Sequence, residues 1–197
     1  MIERSDIRDR IVRAMLPLAA EQGWTWAALR AAARAAGEDP ALAGSHFPAG
    51  PVGAIEAWLD LLNRETEQAA AAEDLAGLRV PARIRRVVEL RLRALAPHKR
   101  ALRRAMAILA LPWNAGAALR AAARAADSMW HAAGDTSADF SWYTRRATLA
   151  GIYAATLAYW MRDDEPDIAG AMAFLDRRLA DLGRLGRRRS RAGRAAA

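Results

Sequence analysis

The fold of this chain is decided by residues 23–50, which read GWTWAALRAAARAAGEDPALAGSHFPAG. Thr25 is suited to cap a short helix that runs to Ala36, and Gly37 is suited to end it. A very short third helix is predicted over residues 39–45, just before the sequence His-Phe-Pro. Together with the helix that precedes this stretch, these elements predict a helix-turn-helix unit at the N-terminus.

Helical periodicity continues through nearly all of the remaining sequence. Alanine, leucine and arginine dominate and favour helices, whereas alternating runs rich in Val, Ile and Thr are missing. We therefore predict an all-α protein of about nine helices. Those outside the opening stretch are expected at residues 5–22, 52–72, 84–95, 102–109, 115–133, 137–161 and 166–182.

Charge and composition divide the chain into three parts. Of its 197 residues, 53% are hydrophobic and 26% are charged, which is typical of a folded globular protein. The formal net charge is +8, but six of the 30 basic residues lie in the last 14 positions, which contain no acid. The predicted parts are a helix-turn-helix unit at residues 1–50, a helical bundle at 51–183 and a disordered basic tail at 184–197. Because the body is nearly neutral, the net charge alone does not indicate a nucleic-acid-binding domain.

Most classes of catalytic and metal site are excluded by the sequence. The chain has no cysteine, its three histidines stand far apart, and it contains no phosphate-binding loop or nucleophile elbow. The carboxylates near residues 135–139 and 163–165 lie at helix starts, where capping explains them. We therefore predict a protein that is not an enzyme and has no catalytic residue, metal or cofactor.

The first ten residues, MIERSDIRDR, contain acids and no apolar segment, which argues against a secretory signal or a transit peptide. The longest uncharged run is 16 residues, at 40–55, and the most apolar run, at 147–161, is 15 residues long, whereas a membrane-spanning helix needs about 20. We expect a bacterial-type cytoplasmic protein.

Residues 23–50 resemble the DNA-binding start of the TetR family. In that family the third helix enters the major groove, where it needs basic and polar side chains. Here the corresponding residues read EDPALAGS, with two acids and no Lys or Arg, and Gly44 stands where a tyrosine is usual. The resemblance therefore implies a TetR-like fold with a degenerate helix-turn-helix unit, and DNA is an unlikely partner. The alternative is a TetR-like transcriptional regulator with a hydrophobic ligand.

A second and more specific resemblance lies in residues 128–160, which read SMWHAAGDTSADFSWYTRRATLAGIYAATLAYW. This block is similar to the signature of the ubiquinone-biosynthesis COQ-nine family, with further matches in RRAMAILALPWN at 103–114 and FLDRR at 174–178. The resemblance implies a homodimeric, lipid-binding accessory protein that is not an enzyme and sits peripherally on the inner membrane. It would bind isoprenoid quinone intermediates and present them to the di-iron demethoxyubiquinone hydroxylase. The residues that match the family's hydroxylase-binding patch are Met129, Asp139, Trp142, Tyr143 and Arg146.

Apolar stripes on the bundle helices are candidate walls for such a lipid, since pockets between bundle helices can hold a long apolar tail. The candidate lipid-binding residues are Leu92, Leu95, Met106, Leu109, Leu149, Tyr153, Leu157 and Trp160. The alanines at 147, 150, 154 and 155 either leave room between helices or let them pack closely. In the basic tail, Arg184, Arg187, Arg188 and Arg189 are candidates for contact with an anionic membrane, and the alternative is a solvated end without a specific role.

Overall fold

Helices make up the regular structure of the described part of the chain. A computed structural model describes residues 4–134, 141–162 and 167–195, and the side chains at 141–143, 183 and 185–195 lie outside that description. The α-helices are α1 (Asp6–Gln22), α2 (Trp26–Ala35), α3 (Ala43–His46), α4 (Gly50–Ala71), α5 (Val80–Leu95), α6 (Lys99–Leu109), α7 (Ala115–Ala132), α8 (Ser141–Trp160) and α9 (Ala169–Ala195). Short 3-10 turns precede α3, α6 and α7. The prediction of an all-α fold is confirmed.

Local sequence signals set the ends of the first helices. The Ser5 hydroxyl accepts a hydrogen bond from the Arg8 N–H, and the Thr25 hydroxyl accepts one from the Ala28 N–H at 3.1 Å. Gly23 ends α1 with φ +81°, a conformation that favours glycine. The predicted third helix differs from the structure: residues 40–42 form a 3-10 turn, and α3 is only a single turn long.

The start of α4 is fixed by a close approach between backbone and side chain. Gly50 has φ +59°, and a Cβ atom there would lie 2.6 Å from Cζ2 of Trp26. Pro51 follows in the first turn, where its missing N–H costs nothing. This packing explains why α4 begins two residues earlier than the sequence predicts.

One apolar core runs through the N-terminal helices and the bundle. The Trp24 and Trp58 rings stack with centroids 5.4 Å apart, and the Trp24 indole N–H donates to the Ala101 carbonyl at 3.0 Å. The same core includes Ile11 of α1 and Leu175 of α9. The helix-turn-helix unit predicted at residues 1–50 is thus packed directly on α4 and α6 through shared buried side chains.

Ion pairs connect neighbouring helices of the bundle. Glu56 of α4 accepts from Arg120 and Arg124 of α7, and Arg85 of α5 pairs with Asp176 of α9 at 2.7 Å. α7 packs along α4 on one side and along α8 on the other. This arrangement leaves α5, α6, α7 and α8 around a shared interior space.

The last helix is longer than the sequence predicts. α9 continues to Ala195, through the segment from residue 184 for which the sequence predicts disorder. Alanine and arginine dominate that segment, and their strong helix propensity explains the continuation despite the glycines. Within the described residues, every helix is too short or too polar to cross a lipid bilayer.

We expect the stability of the N-terminal packing to fall at acidic pH. Only 5% of the Asp60 side chain is exposed, and it accepts from Arg4 at 2.9 and 3.0 Å and from Arg64 at 3.3 Å. Burial works to raise the pKa of Asp60, but Arg4 and Arg64 together hold that pKa below its usual value. A carboxylate with a lowered folded-state pKa stabilises the fold above the ordinary value of about 3.9, and this contribution disappears as pH falls through the folded pKa.

Urea unfolding between pH 6 and pH 3 measures this effect. The Asp60→Asn variant should lose about 2 kcal/mol at pH 6, because charged hydrogen bonds are lost, and should show a shallower fall below pH 4. An unchanged pH profile in that variant would show that Asp60 does not contribute to the acid sensitivity.

Candidate functional site

An apolar cavity lies between α5, α6, α7 and α8, and its volume is about 490 Å³. This volume falls within the range of about 300–1,000 Å³ typical of small-molecule sites. Leucine, methionine and alanine side chains form most of the wall, and Leu59 of α4 adds to it. The polar contributions come from Arg91, Arg103 and Tyr153. An apolar ligand with a small polar group matches this composition.

Five of the eight predicted lipid-binding residues line this cavity. They are Leu95, Met106, Leu109, Tyr153 and Leu157. They come from three different helices, and the fold brings them together around one space. The apolar stripes in the sequence therefore predict much of the cavity wall correctly.

The other three predicted residues are buried elsewhere. Leu92 and Leu149 each lie one position away from a lining residue, Arg91 and Ala150, and one residue on a helix turns a side chain by about 100°. The Trp160 indole N–H donates to the Asp167 carbonyl at 2.8 Å, and the Lys99 Nζ lies 4.7 Å from the centre of its ring. Trp160 therefore anchors the end of α8 rather than the cavity wall.

Alanines form the mouth of the cavity. Ala150 and Ala154 line it, whereas Ala147 and Ala155 do not. Ala154 is also exposed to solvent, as are further lining alanines at positions 110, 122 and 158. The cavity is thus open where the helix surfaces carry only methyl groups. Of the two alternatives for the small residues, those at 150 and 154 leave room between the helices.

Sequence reasoning missed a buried guanidinium in the cavity wall. Arg91 of α5 is 1% exposed, and its Nε donates to the Tyr153 hydroxyl at 2.8 Å. Arg103 also lines the cavity, and its Nη2 donates to the Met161 carbonyl at 3.0 Å. A signal was present, since Arg91 lies four residues after Val87 and four before Leu95, on the buried face of α5.

The predicted hydroxylase-binding patch is only partly described, and the described members are not freely exposed. Met129 is 0% exposed, which corrects the expectation that it contributes to a surface, because it lies on the face of α7 that packs into the core. The Arg146 side chain is 11% exposed, and its Nε donates to Asp127 at 2.7 Å, which joins α8 to α7. Asp139 and the side chains of Trp142 and Tyr143 lie outside the described residues.

The basic residues predicted to meet a membrane lie at the end of α9. Arg184 is exposed and pairs with Asp181, one turn earlier in the helix. The side chains of Arg187, Arg188 and Arg189 lie outside the described part of the chain. Elsewhere, Trp113 is 77% exposed at the connection between α6 and α7, a position to which the sequence assigned no role.

The segment that would face DNA in a helix-turn-helix protein contains two acidic side chains, and both make hydrogen bonds within the chain. Glu38 accepts from Arg10 at 2.7 Å, and the Asp39 carboxylate accepts from the Ala41 N–H at 2.9 Å. From Glu38 to His46 the sequence contains no Lys or Arg. This segment therefore lacks the Lys and Arg contacts to the phosphate backbone on which nucleic-acid binding depends.

The fold is similar to that of a solved transcriptional regulator. The crystal structure of the TetR transcriptional regulator from Nitrosomonas europaea aligns with a TM-score of 0.70 and 22% sequence identity, covering 89% of this chain and 97% of that one. At this level of identity the likeness concerns the fold alone. The predicted TetR-like architecture is confirmed.

Sequence comparison gives a more specific result. The COQ9 family model matches residues 115–186, which include α7 and α8. The chain is 36% identical to the mitochondrial ubiquinone biosynthesis protein COQ9 of Rattus norvegicus, and 34% identical to that of Homo sapiens, each over 91% of its length. It spans about 60% and 58% of the length of these two relatives.

The predicted cytoplasmic location is wrong in the light of these relatives, since they are named as mitochondrial proteins. The acids in the first ten residues are therefore not a sound guide to the compartment. The match at residues 115–186, and relatives at 30–36% identity over 91% of the chain, show that this protein is similar to the COQ9 family, and it has a TetR-type fold.

Proposed function

We propose that this chain is a lipid-binding accessory protein of ubiquinone biosynthesis and has no catalytic activity of its own. It holds an isoprenoid quinone intermediate and presents it to the di-iron demethoxyubiquinone hydroxylase. The relatives are named ubiquinone biosynthesis proteins. The observation that supports the proposal most strongly is the apolar cavity of about 490 Å³, whose wall includes residues of α7 and α8 within the family match.

The energetics of a long apolar tail suit this cavity. Burying apolar surface contributes about 25 cal/mol per Å², so a tail that buries roughly 400 Å² gains about 10 kcal/mol before other terms. Part of this gain is lost when the tail and the surrounding side chains are ordered. This gain applies to a tail taken from water, and a tail that already lies in a bilayer gains little of it. Binding from a bilayer therefore needs a further recognition element or a partner that favours the bound state.

Presentation to the hydroxylase uses the start of α8. The helix contributes Tyr153 and Leu157 to the cavity, and its first turn contains Trp142 and Tyr143, which match the family's partner-binding residues. A single helix thus joins the lipid to the docking segment. We also propose that the protein is a homodimer, paired through α8 and α9 by analogy with the TetR fold.

Contact with the membrane is assigned to the basic end of α9. Each Arg close to an anionic surface contributes about 1 kcal/mol, and Arg184 is exposed at the start of this basic segment. The attachment proposed here is peripheral and electrostatic.

The alternative, a TetR-like transcriptional regulator with a hydrophobic ligand, shares the cavity but needs a DNA-reading surface. Glu38 and Asp39 occupy that surface, and α3 is a single turn. The similarity to a solved regulator supports the fold and says nothing about operator binding. We therefore favour the accessory role.

Capture by the immobilised hydroxylase tests the presentation step. The wild-type protein loaded with a short-chain ubiquinone analogue should be retained, whereas capture of Trp142→Lys should fall by at least tenfold, because a charge in a desolvated contact is costly. The melting temperature of the variant should stay within a few degrees of the wild type. A large fall in melting temperature would place Trp142 in the core, and retained capture would contradict its role in docking.

A further inference from the structure

Arg91 is a cavity-lining arginine whose hydrogen bond and ring contact in the described chain are both made with one side chain, that of Tyr153. Its Nε donates to the Tyr153 hydroxyl at 2.8 Å, and its Cζ lies 5.5 Å from the centre of the Tyr153 ring. Its Nη1 is buried and has no hydrogen-bond partner among the described residues. The side chain is 1% exposed, so bulk water does not replace the missing contacts.

Other arginines of the same bundle are paired with carboxylates. On the same helix, Arg86 pairs with Glu73 and Glu89, and Arg93 pairs with Glu89 at 2.8 Å. These pairs lie at the surface, where an ion pair contributes little to stability. Arg91 is buried and has no such pair within the described residues. A buried charge without an opposite charge costs more free energy than an exposed one.

The geometry around Arg91 provides two donors for one acceptor. The Tyr153 hydroxyl oxygen accepts a hydrogen bond from Arg91, so the hydroxyl hydrogen of Tyr153 remains available to donate toward the cavity. The guanidinium of Arg91, which lines the same wall, supplies a second, charged donor group. Hydrogen bonds from a charged donor to an ionised oxygen are roughly twice as strong as neutral ones.

We propose that Arg91 and Tyr153 form a head-group site at one wall of the cavity. The site binds an acceptor oxygen of an amphiphile, and an ionised oxygen binds more tightly than a neutral carbonyl. The apolar tail of the same molecule occupies the space lined by Met106, Leu109 and Leu157. This assignment rests on the proposed lipid-binding function, and it adds the chemistry of the head group.

The test compares two probes that share one tail. Dodecanoate and its neutral methyl ester are titrated into the full chain at pH 7 by calorimetry. The wild type should bind dodecanoate at least tenfold more tightly than the ester. The Arg91→Met variant should lose this preference and should bind the ester within threefold of the wild type. Arg91→Lys keeps the charge and should retain part of the preference.

Two control variants separate the head-group site from the cavity itself. Arg93→Met changes an exposed arginine on the same helix and should leave both affinities unchanged. Leu157→Trp fills the cavity and should weaken both probes alike. If the wild type binds both probes equally, or if Arg91→Met keeps the preference, the proposed head-group site is wrong. Binding of an apolar tail in the cavity is then still supported. If the wild type binds neither probe, the lipid-binding function fails and the head-group site falls with it.

The unliganded protein gives an independent readout. Replacing a buried and unpaired charge by a side chain of similar length is neutral or stabilising. Arg91→Met should therefore keep or raise the melting temperature. A clear fall would show that Arg91 serves the fold, and this would contradict its assignment to a ligand.

Discussion

An Ala118→Trp variant is expected to lose lipid binding by at least a hundredfold while it remains folded. Ala118 lies on α7, is half-buried and lines the cavity. An indole at this position projects into a space of about 490 Å³ and removes the room that an apolar tail needs. Because the ring fills an existing void rather than a packed core, the melting temperature should be unchanged or higher.

The matched control for this prediction is Ala123→Trp. Ala123 lies on the same helix, is exposed and does not line the cavity. Binding of a short-chain ubiquinone analogue, followed by the quenching of tryptophan fluorescence or by calorimetry, should be unchanged in this control. Equal affinities in the Ala118→Trp variant and the wild type would show that the ligand occupies another place.

A Trp24→Ala variant is expected to lower the free energy of unfolding by about 3–5 kcal/mol, the usual cost of removing a buried tryptophan. Trp24 is 3% exposed, stacks on Trp58 of α4 and donates its indole N–H to the Ala101 carbonyl of α6. The substitution removes the stacking, leaves a cavity and removes the indole hydrogen bond to the Ala101 carbonyl. The loss should appear as one shifted transition, because the apolar core is continuous from α1 to α9.

Denaturant unfolding followed by circular dichroism measures this effect, and Trp113→Ala is the control. Trp113 is largely exposed, so its removal should change stability by less than about 0.5 kcal/mol. If Trp24→Ala instead separates unfolding into two transitions, the N-terminal helices form an independent unit, contrary to the shared core.

Periodicity and capping allow much of this fold to be predicted. Thr25 and Gly23 mark helix ends in the sequence, and they serve as the N-cap of α2 and the C-cap of α1 in the structure. The predictions that differ from the structure concern segments whose sequence pattern is short or ambiguous. The segment at 39–45 is too short for periodicity to distinguish a 3-10 turn from an α-helix, and the Arg and Ala content of the tail suggests disorder as readily as helix.

The cavity is predictable in outline because Leu95, Met106 and Leu157 follow apolar stripes. The sequence does not predict that the cavity is open to solvent, because alanine occurs equally in cavities, close contacts and exposed faces. Arg91 escapes prediction because a charged residue within an apolar stripe is usually at the surface, although its position four residues from Leu95 places it on the same face. The errors at Leu92 and Leu149 are displacements of one residue, which a hydrophobic pattern does not resolve.

Organic extraction of the purified full chain, followed by mass spectrometry, tests the lipid-binding function most directly. The wild type should release polyprenyl quinones or their phenolic precursors at about one molecule per chain or per dimer, and the Ala118→Trp variant should release none. A lipid-free extract from well-folded wild-type protein, together with no rise in melting temperature when a short-chain ubiquinone analogue is added, would contradict the proposal that this cavity holds a quinone lipid.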